Sequence, residues 1–231
     1  MNYSLMKNNK VYISGEVVSE PKFSHEVYTE GFYEFNLKVN RLSVAYDIIP
    51  VTISERLMSI NNIKIGSKIS GNGQFRSYNK LEDGKSRLLL TVFLREILPY
   101  QETENPNIIE ITGYVCKEPV FRTTPFNREI SDVLLAVNRS YNKSDYLPCI
   151  AWGRNARYVK NFSIGDKVVV SGRIQSREYQ KKIGDELVTR VAYEVSLNKI
   201  ELVKEENEID TVMTSVGELE NYYVRWLRLS K

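Results

Sequence analysis

The sequence predicts a mostly β chain: two successive five-stranded barrels, each with one short helix, followed by a short helical tail. Three observations support this. The chain contains itself twice. Each copy reads as three strands, a short helix and two strands. Glycines fall in mid-strand, where a small closed barrel has to bend.

The repeat is read directly. Residues 9–50 slide over residues 107–148 without a gap, and 13 of the 42 positions are identical, Gly15 with Gly113, Pro21 with Pro119 and Arg41 with Arg139 among them. Chance would give roughly two or three. Further on the register slips by three, so that SGNGQFRSYN (70–79) lies over SGRIQSREYQ (171–180). A period near 100 residues makes each copy a whole domain rather than a solenoid unit. The domains are assigned as 1–104, 105–204 and a tail at 205–231, with the polar YQETENP (100–106) as linker.

In copy two, Ile108–Lys117 alternates apolar and polar residues around Gly113, and Pro119–Arg128 reads as a turn-rich connection. Ser131–Arg139 and Asp145–Trp152 are two further strands. Arg154–Phe162 places apolar or aromatic residues at 156, 158, 159 and 162, a helical spacing over nine residues. Asp166–Tyr179 is a long strand with Gly172 inside it, and a hairpin at Gly184-Asp185 leads to Leu187–Val203. Copy one repeats the order, with its helix near Ser54–Ile60 and its hairpin at Asp83-Gly84. Five strands with a helix between the third and fourth is the layout of the OB-fold, so the fold class is two tandem OB-folds.

Composition narrows the function. The chain has 231 residues, 26% charged and 42% hydrophobic, an ordinary globular balance. No run approaches the roughly 18 apolar residues of a membrane span. The start, MNYSLMKNNKVYISG, has no apolar segment of the kind that opens a secretory signal. Cys116 and Cys149 fit neither a disulfide framework nor a zinc spacing, which suits a reducing cytosol. The net charge of +3 is uneven. Residues 1–104 hold 13 basic and 12 acidic side chains, 105–204 hold 16 and 11, and 205–231 hold 3 and 6. The surplus therefore sits in copy two, where a polyanion would find it. Tyrosine is frequent, at 15 residues.

The stretch LAVNRSYNKSDYLPCIAWGRNARYVKNFSIGDKVVVSGRIQSREY, with the opening NIIEITGYVCKEPVFRTTP, resembles bacterial single-stranded DNA-binding protein. The pieces that carry the resemblance are Asn138-Arg139 ending a strand, Ala151-Trp152-Gly153 before the helix, Gly165-Asp166-Lys167-Val168, and Gly172-Arg173 followed by Arg177 and Tyr179. It covers essentially all of copy two. Copy one matches more weakly, through its opening glycine strand and SGNGQFRSYN. The resemblance implies an OB-fold that wraps single-stranded DNA, four barrels gathered in one oligomer, no enzymatic activity and no cofactor.

It also implies four aromatic positions that stack bases, and in copy two these carry Tyr141, Tyr146, Trp152 and Tyr179. Stacking on aromatic rings holds a single strand without reading its sequence, because every base has a π-face. Arg139, Lys143, Arg154, Arg157, Arg173 and Arg177 lie among them as candidate phosphate ligands. In copy one the equivalent positions are Ser43, Ile48, Ser54 and Tyr78, so only Tyr78 remains, with Arg76 beside it and Tyr46 close by. Copy one is therefore expected to bind weakly or to serve assembly.

The tail departs from the family's acidic tip. EENEID is acidic, but Val212, Val216, Leu219, Tyr223 and Trp226 then recur at helical spacing and the end is basic. His25 has no nucleophile paired to it by spacing and reads as an exposed loop residue. Gly71-Asn72-Gly73 lacks the setting of a phosphate loop, and no constellation points to catalysis or to a metal. The expectation is a non-enzymatic binder of single-stranded DNA in replication, recombination or repair. It is expected to be cytoplasmic, nucleoid-associated and homodimeric so as to assemble four barrels, and to work with replication or repair proteins. The rivals are a replication-restart accessory or RNA-binding OB protein, and a structural or adaptor subunit with little affinity for DNA.

Overall fold

Strand patterning in the sequence is realised as eleven strands and two short helices. The structure, a computed structural model, describes residues 7–82, 85–183 and 186–203. The predicted tail helix and both hairpin turns, Asp83-Gly84 and Gly184-Asp185, lie outside the described residues. The first barrel contains β1 (Asn9–Val17), β2 (Lys22–Val27), β3 (Glu30–Asn40), β4 (Tyr46–Ser54), α1 (Glu55–Asn61), β5 (Lys68–Glu82) and β6 (Lys85–Leu98). The second contains β7 (Asn107–Thr123), β8 (Glu129–Arg139), β9 (Lys143–Trp152), α2 (Arg154–Val159), β10 (Lys167–Ile183) and β11 (Glu186–Leu202).

Each barrel closes in the same way. A short parallel pairing joins β4 to β6 at Val51–Val92 and β9 to β11 at Cys149–Val195. Inward positions alternate with outward ones, as the two-residue period requires. On β4, Ile49, Val51 and Ile53 enter the core, and on β9, Leu147, Cys149 and Ala151 do. Phe75 and Ile174 fill matching places on β5 and β10. Ser54 caps α1, its Oγ accepting from the Leu57 amide at 3.4 Å.

The structure corrects four details of the sequence reading. Strand β7 does not stop at Lys117. It runs through Pro119 to Thr123, and its pairing with β8 shifts register between Val115 and Lys117 and again before Val120. A proline is tolerated in a strand at such an irregularity. In the first barrel the same stretch is broken into β1 and β2, so that barrel has six strands and not five. Helix α2 ends at Val159, three residues early, and Phe162 reaches the core from the turn that follows. The slip between the copies is one residue, not three. Gly73 pairs opposite Val11 and Gly172 opposite Ile109, and both sit at the bulge of their ladder. A side chain at either glycine would meet a backbone carbonyl, that of Phe93 at 2.3 Å or of Ser196 at 2.1 Å.

The two barrels are joined edge to edge. Strands β1 and β7 pair antiparallel, with Asn9 opposite Ile111, Val11 opposite Ile109 and Ile13 opposite Asn107. Asn9, Val11 and Ile13 are the repeat counterparts of Asn107, Ile109 and Ile111. The ladder is thus symmetric about the Val11–Ile109 pair, and a pseudo-two-fold axis relates the barrels. The result is one continuous antiparallel sheet in the order β6-β5-β1-β7-β10-β11.

Beyond the shared ladder, each long strand reaches the other barrel. Within each barrel an asparagine fixes the long strand: Asn9 clasps the Phe75 backbone through two hydrogen bonds of 2.7 and 2.9 Å, and Asn107 clasps Ile174 at the same two distances; the contacts to the other barrel are made further along. The Ser176 amide donates to Asp47 at 2.8 Å, and the Ser77 amide donates to Asp145 at 2.8 Å. Asp47 is ion-paired with Arg41 at 2.6 Å and Arg173 at 3.1 Å; Asp145 is paired with Arg139 at 3.2 Å and Arg76 at 3.9 Å. Both carboxylates are 1% exposed.

Matching geometry does not give matching electrostatics. Burial pushes the Asp47 carboxyl up, but hydrogen bonds from Arg41 and the Ser176 amide, with both arginine charges, hold it below the usual range. Burial also pushes Asp145 up, and there the Ser77 amide, Arg139 and Arg76 offset only part of it. Ionisation of Asp47 therefore stabilises the fold at neutral pH. That contribution is present above the unfolded pKa near ~3.9 and is lost as pH falls through the lower folded value. Ionisation of Asp145 opposes folding at neutral pH, a penalty relieved on acidification. At pH 7, Asp47→Asn should cost about 3–5 kcal/mol, the loss on breaking a buried pair, and Asp145→Asn clearly less. Urea unfolding of the two variants at pH 7 and at pH 3.5 checks this. A gap that does not narrow on acidification would contradict the assignment.

Candidate nucleic-acid interface

The outer face of the second barrel is built by strand alternation. On β9 the core takes Asp145, Leu147, Cys149 and Ala151, so Tyr146, Pro148, Ile150 and Trp152 share the opposite face. Trp152 is 38% exposed, and its Nε1 donates to Ser196 Oγ on β11 at 3.3 Å. The face continues across the β10–β11 ladder, where Gln175 lies opposite Glu194, Arg177 opposite Ala192 and Tyr179 opposite Arg190. Residues two apart on a strand share a face, so these three pairs form one row running out from Trp152. Gln175 donates to Glu194 at 2.7 Å, Arg177 is ion-paired with Glu194 at 3.5 Å, and the Arg177 guanidinium stands 6.0 Å from the Tyr179 ring centre.

The other predicted aromatics are placed differently. Tyr141 is at the tip of the β8–β9 turn, 89% exposed, with Asn142 beside it; both have positive φ. Tyr78 is on β5 and donates from its hydroxyl to Glu34 at 2.9 Å. Tyr78 and Tyr179 are not counterparts: the one-residue slip aligns Tyr78 with Arg177 and Tyr179 with Lys80. Both instead line an open groove between the barrels, as do Pro50 and Pro148. Tyr46 is exposed, with the Lys38 ammonium 4.6 Å from its ring centre.

The predicted phosphate ligands divide sharply. Arg76, Arg139 and Arg173 are held by the two buried aspartates at the junction. Arg76 is lowered to about 10 by burial and by repulsion from Arg139 and Arg95, against the pull of Asp145. Arg157 is paired with Glu129 at 2.7 Å. Lys143 and Arg154 are exposed at the ends of β9 and α2, with no ion pair among the described residues.

Sequence reasoning missed an exchange of aromatics in the first barrel. Trp152, Ser196 and Ile130 of the second barrel correspond to Ser54, Phe93 and Phe32 of the first. The large ring has moved from the central strand to its two neighbours. Phe32 and Phe93 lie 5.6 Å apart, the Arg76 guanidinium is 5.5 Å from the Phe93 ring, and His25 stacks on Phe32 at 5.0 Å. His25 is exposed as expected, but it belongs to strand β2 and not to a loop. The exchange was hidden because the repeat read in the sequence stops at β5 and β10, and β6 and β11 match at a further shift in register, Val92 with Val195 and Leu94 with Leu197.

A model of the single-strand binding protein family matches residues 106–203, the second barrel. "Single-stranded DNA-binding protein 3" of Streptococcus agalactiae is 32% identical over 96 residues, which cover 38% of this chain and 70% of that protein. This chain belongs to the single-strand binding protein family. "Single-stranded DNA-binding protein 1" of Staphylococcus aureus is 34% identical over 85 residues, 34% of this chain and 51% of that protein. The chain thus spans only about half the length of several relatives it matches. The family is one of binding proteins, not of enzymes. Both barrels find a counterpart in the crystal structure of single-stranded DNA-binding protein from Thermus aquaticus. It has a TM-score of 0.69 at 18% identity and covers 85% of this chain and 93% of that one, which establishes two tandem OB-folds. Among the described residues no helix is long and apolar enough to cross a membrane.

An aromatic serving a surface differs energetically from one serving the core. Phe75→Ala, at a fully buried site, should cost about 3–5 kcal/mol. Trp152→Ala should cost no more than about 1–2 kcal/mol, because the ring is already partly in water. Denaturant titration of both variants measures the difference, and equal losses would make Trp152 a core residue.

Proposed function

We propose that this protein binds single-stranded DNA without strong sequence preference, in replication, recombination or repair, with the second barrel as the main site. The observation that carries the proposal is the continuous row from Tyr146 and Trp152 to Arg177 and Tyr179. It offers flat rings for bases with a guanidinium beside them, on the strand face by which OB-folds take oligonucleotides. Family membership of the second barrel supports the same reading. Tyr141 and Lys143, exposed at the β8–β9 turn, and Arg154, at the start of α2, border this face. The setting is the cytoplasm at the nucleoid, where the protein would meet replication and repair proteins.

Two chains would bring four barrels together. The outer face of the six-stranded sheet supports this: Tyr12, Ile108, Tyr114 and Val169 project from it, and the last three are each more than a third exposed. A closed two-fold dimer would bury that face once on each subunit.

Trp152→Ala and Tyr179→Ala should each weaken oligo-dT binding by about 1–3 kcal/mol without unfolding the protein. Binding should quench Trp152 fluorescence. The slope of log K against log[salt] should be about −0.7 for each phosphate neutralised. Unchanged affinity in both folded variants would refute the stacking row. For assembly, the solution mass should be about 54 kDa, twice the 26.8 kDa chain, with or without DNA. A monomer at all concentrations would refute the dimer.

A further inference from the structure

We propose that the groove between the barrels is a phosphate site of its own, with Arg190 as its ligand, carrying the backbone of a single strand from the second barrel to the first. The inference rests on the reading of the protein as a single-stranded DNA binder and adds a site outside the predicted set.

The groove encloses about 720 Å³, within the range of ligand clefts, and both barrels contribute to it. Pro50, Tyr78 and Leu88 come from the first; Pro148, Tyr179 and Arg190 come from the second. The pyrrolidine rings and the two tyrosines give a surface on which sugars and bases can lie, and Tyr78 is held in place by its bond to Glu34.

Arg190 is what makes the groove a site for an anion. Its Nε is buried and has no hydrogen-bond partner. Leaving a charged donor desolvated and unpaired is costly, and the neighbouring arginines are not in that state. Arg177 has Glu194, Arg173 has Asp47, and Arg76 and Arg139 have Asp145. Arg190 makes no ion pair among the described residues, and it stands directly opposite Tyr179 on the ladder. Cross-strand partners project side by side on one face. A nucleotide stacked on Tyr179 would therefore present its phosphate to a half-buried guanidinium whose Nε is already out of water and needs no partner released. A carboxylate could pair with the same fork, but a strand stacked on Tyr179 brings its own anion to Arg190, which stands directly opposite on the ladder.

The experiment measures oligo-dT affinity between 50 and 300 mM salt for the whole chain, Arg190→Gln, Arg190→Lys and Trp152→Ala, with circular dichroism as the check on folding. Arg190→Gln should make the log–log slope shallower by about 0.7, the share of one phosphate. Arg190→Lys keeps the charge and should keep the slope. Trp152→Ala should lower affinity with the slope unchanged. If Arg190→Gln leaves the slope intact while Trp152→Ala weakens binding, the strand does not use the groove and the stacking row stands. A loss of affinity in Arg190→Gln with no change in slope would make Arg190 structural and overturns the inference equally. If the whole chain does not bind oligo-dT at all, the functional reading itself fails.

Discussion

The antiparallel pairing of β1 with β7 is the constraint on which the rest of this structure depends. An OB barrel leaves its first strand with an edge, and an exposed edge is a row of unpaired amides and carbonyls. Here each copy covers the edge of the other, in a register symmetric about Val11 and Ile109. Once that register is fixed, β5 and β10 must run past their own barrels and along the neighbour. That places Ser77 against Asp145 and Ser176 against Asp47. The six-stranded sheet, the buried aspartates and the groove opposite the sheet are all consequences of one ladder.

The same constraint explains why so many arginines are unavailable to a ligand. Two buried carboxylates at the junction need cations, and each takes two. Arg76, Arg139 and Arg173 look like a basic groove in the sequence, yet they close the seam between the barrels. On the proposed function, electrostatic attraction for a polyanion then rests on fewer side chains, those at the margins of the stacking face and Arg190, which has no ion pair among the described residues. This shifts weight from charge to stacking.

Duplication has let the two copies diverge where function, and not folding, is at stake. The inward positions remain interchangeable, Leu37 with Leu135 and Val39 with Val137, and the asparagine clasps are identical in geometry. The outward positions have drifted. The first barrel has exchanged its central-strand aromatic for Phe32 and Phe93 and has added a stacked His25. The two aspartates have also parted: one is held ionised by its partners and the other is pushed towards protonation by burial.

The amino-acid sequence alone determined the domain count, the strand order, the helix between third and fourth strands and the family of the second barrel. These depend on local periodicity, on turn residues and on identities that survive within each copy, and they hold in full for the second barrel, whereas the first divides its opening strand and places its helix after the fourth. The outward face of β9, with Tyr146 and Trp152 six residues apart, was also legible, because alternation assigns faces without knowledge of neighbours. Only the tertiary structure decided the rest. Pro119 stays in its strand because a register shift there spares the missing amide. Tyr78 and Tyr179 line one groove, though they are not counterparts, because the second copy takes up one extra residue at Gly153, ahead of its helix, and this shifts β10 against β5. Whether an arginine binds a ligand or an aspartate was not written in its spacing, because the deciding carboxylate lies on another strand, and for Arg173 and Arg76 in the other barrel.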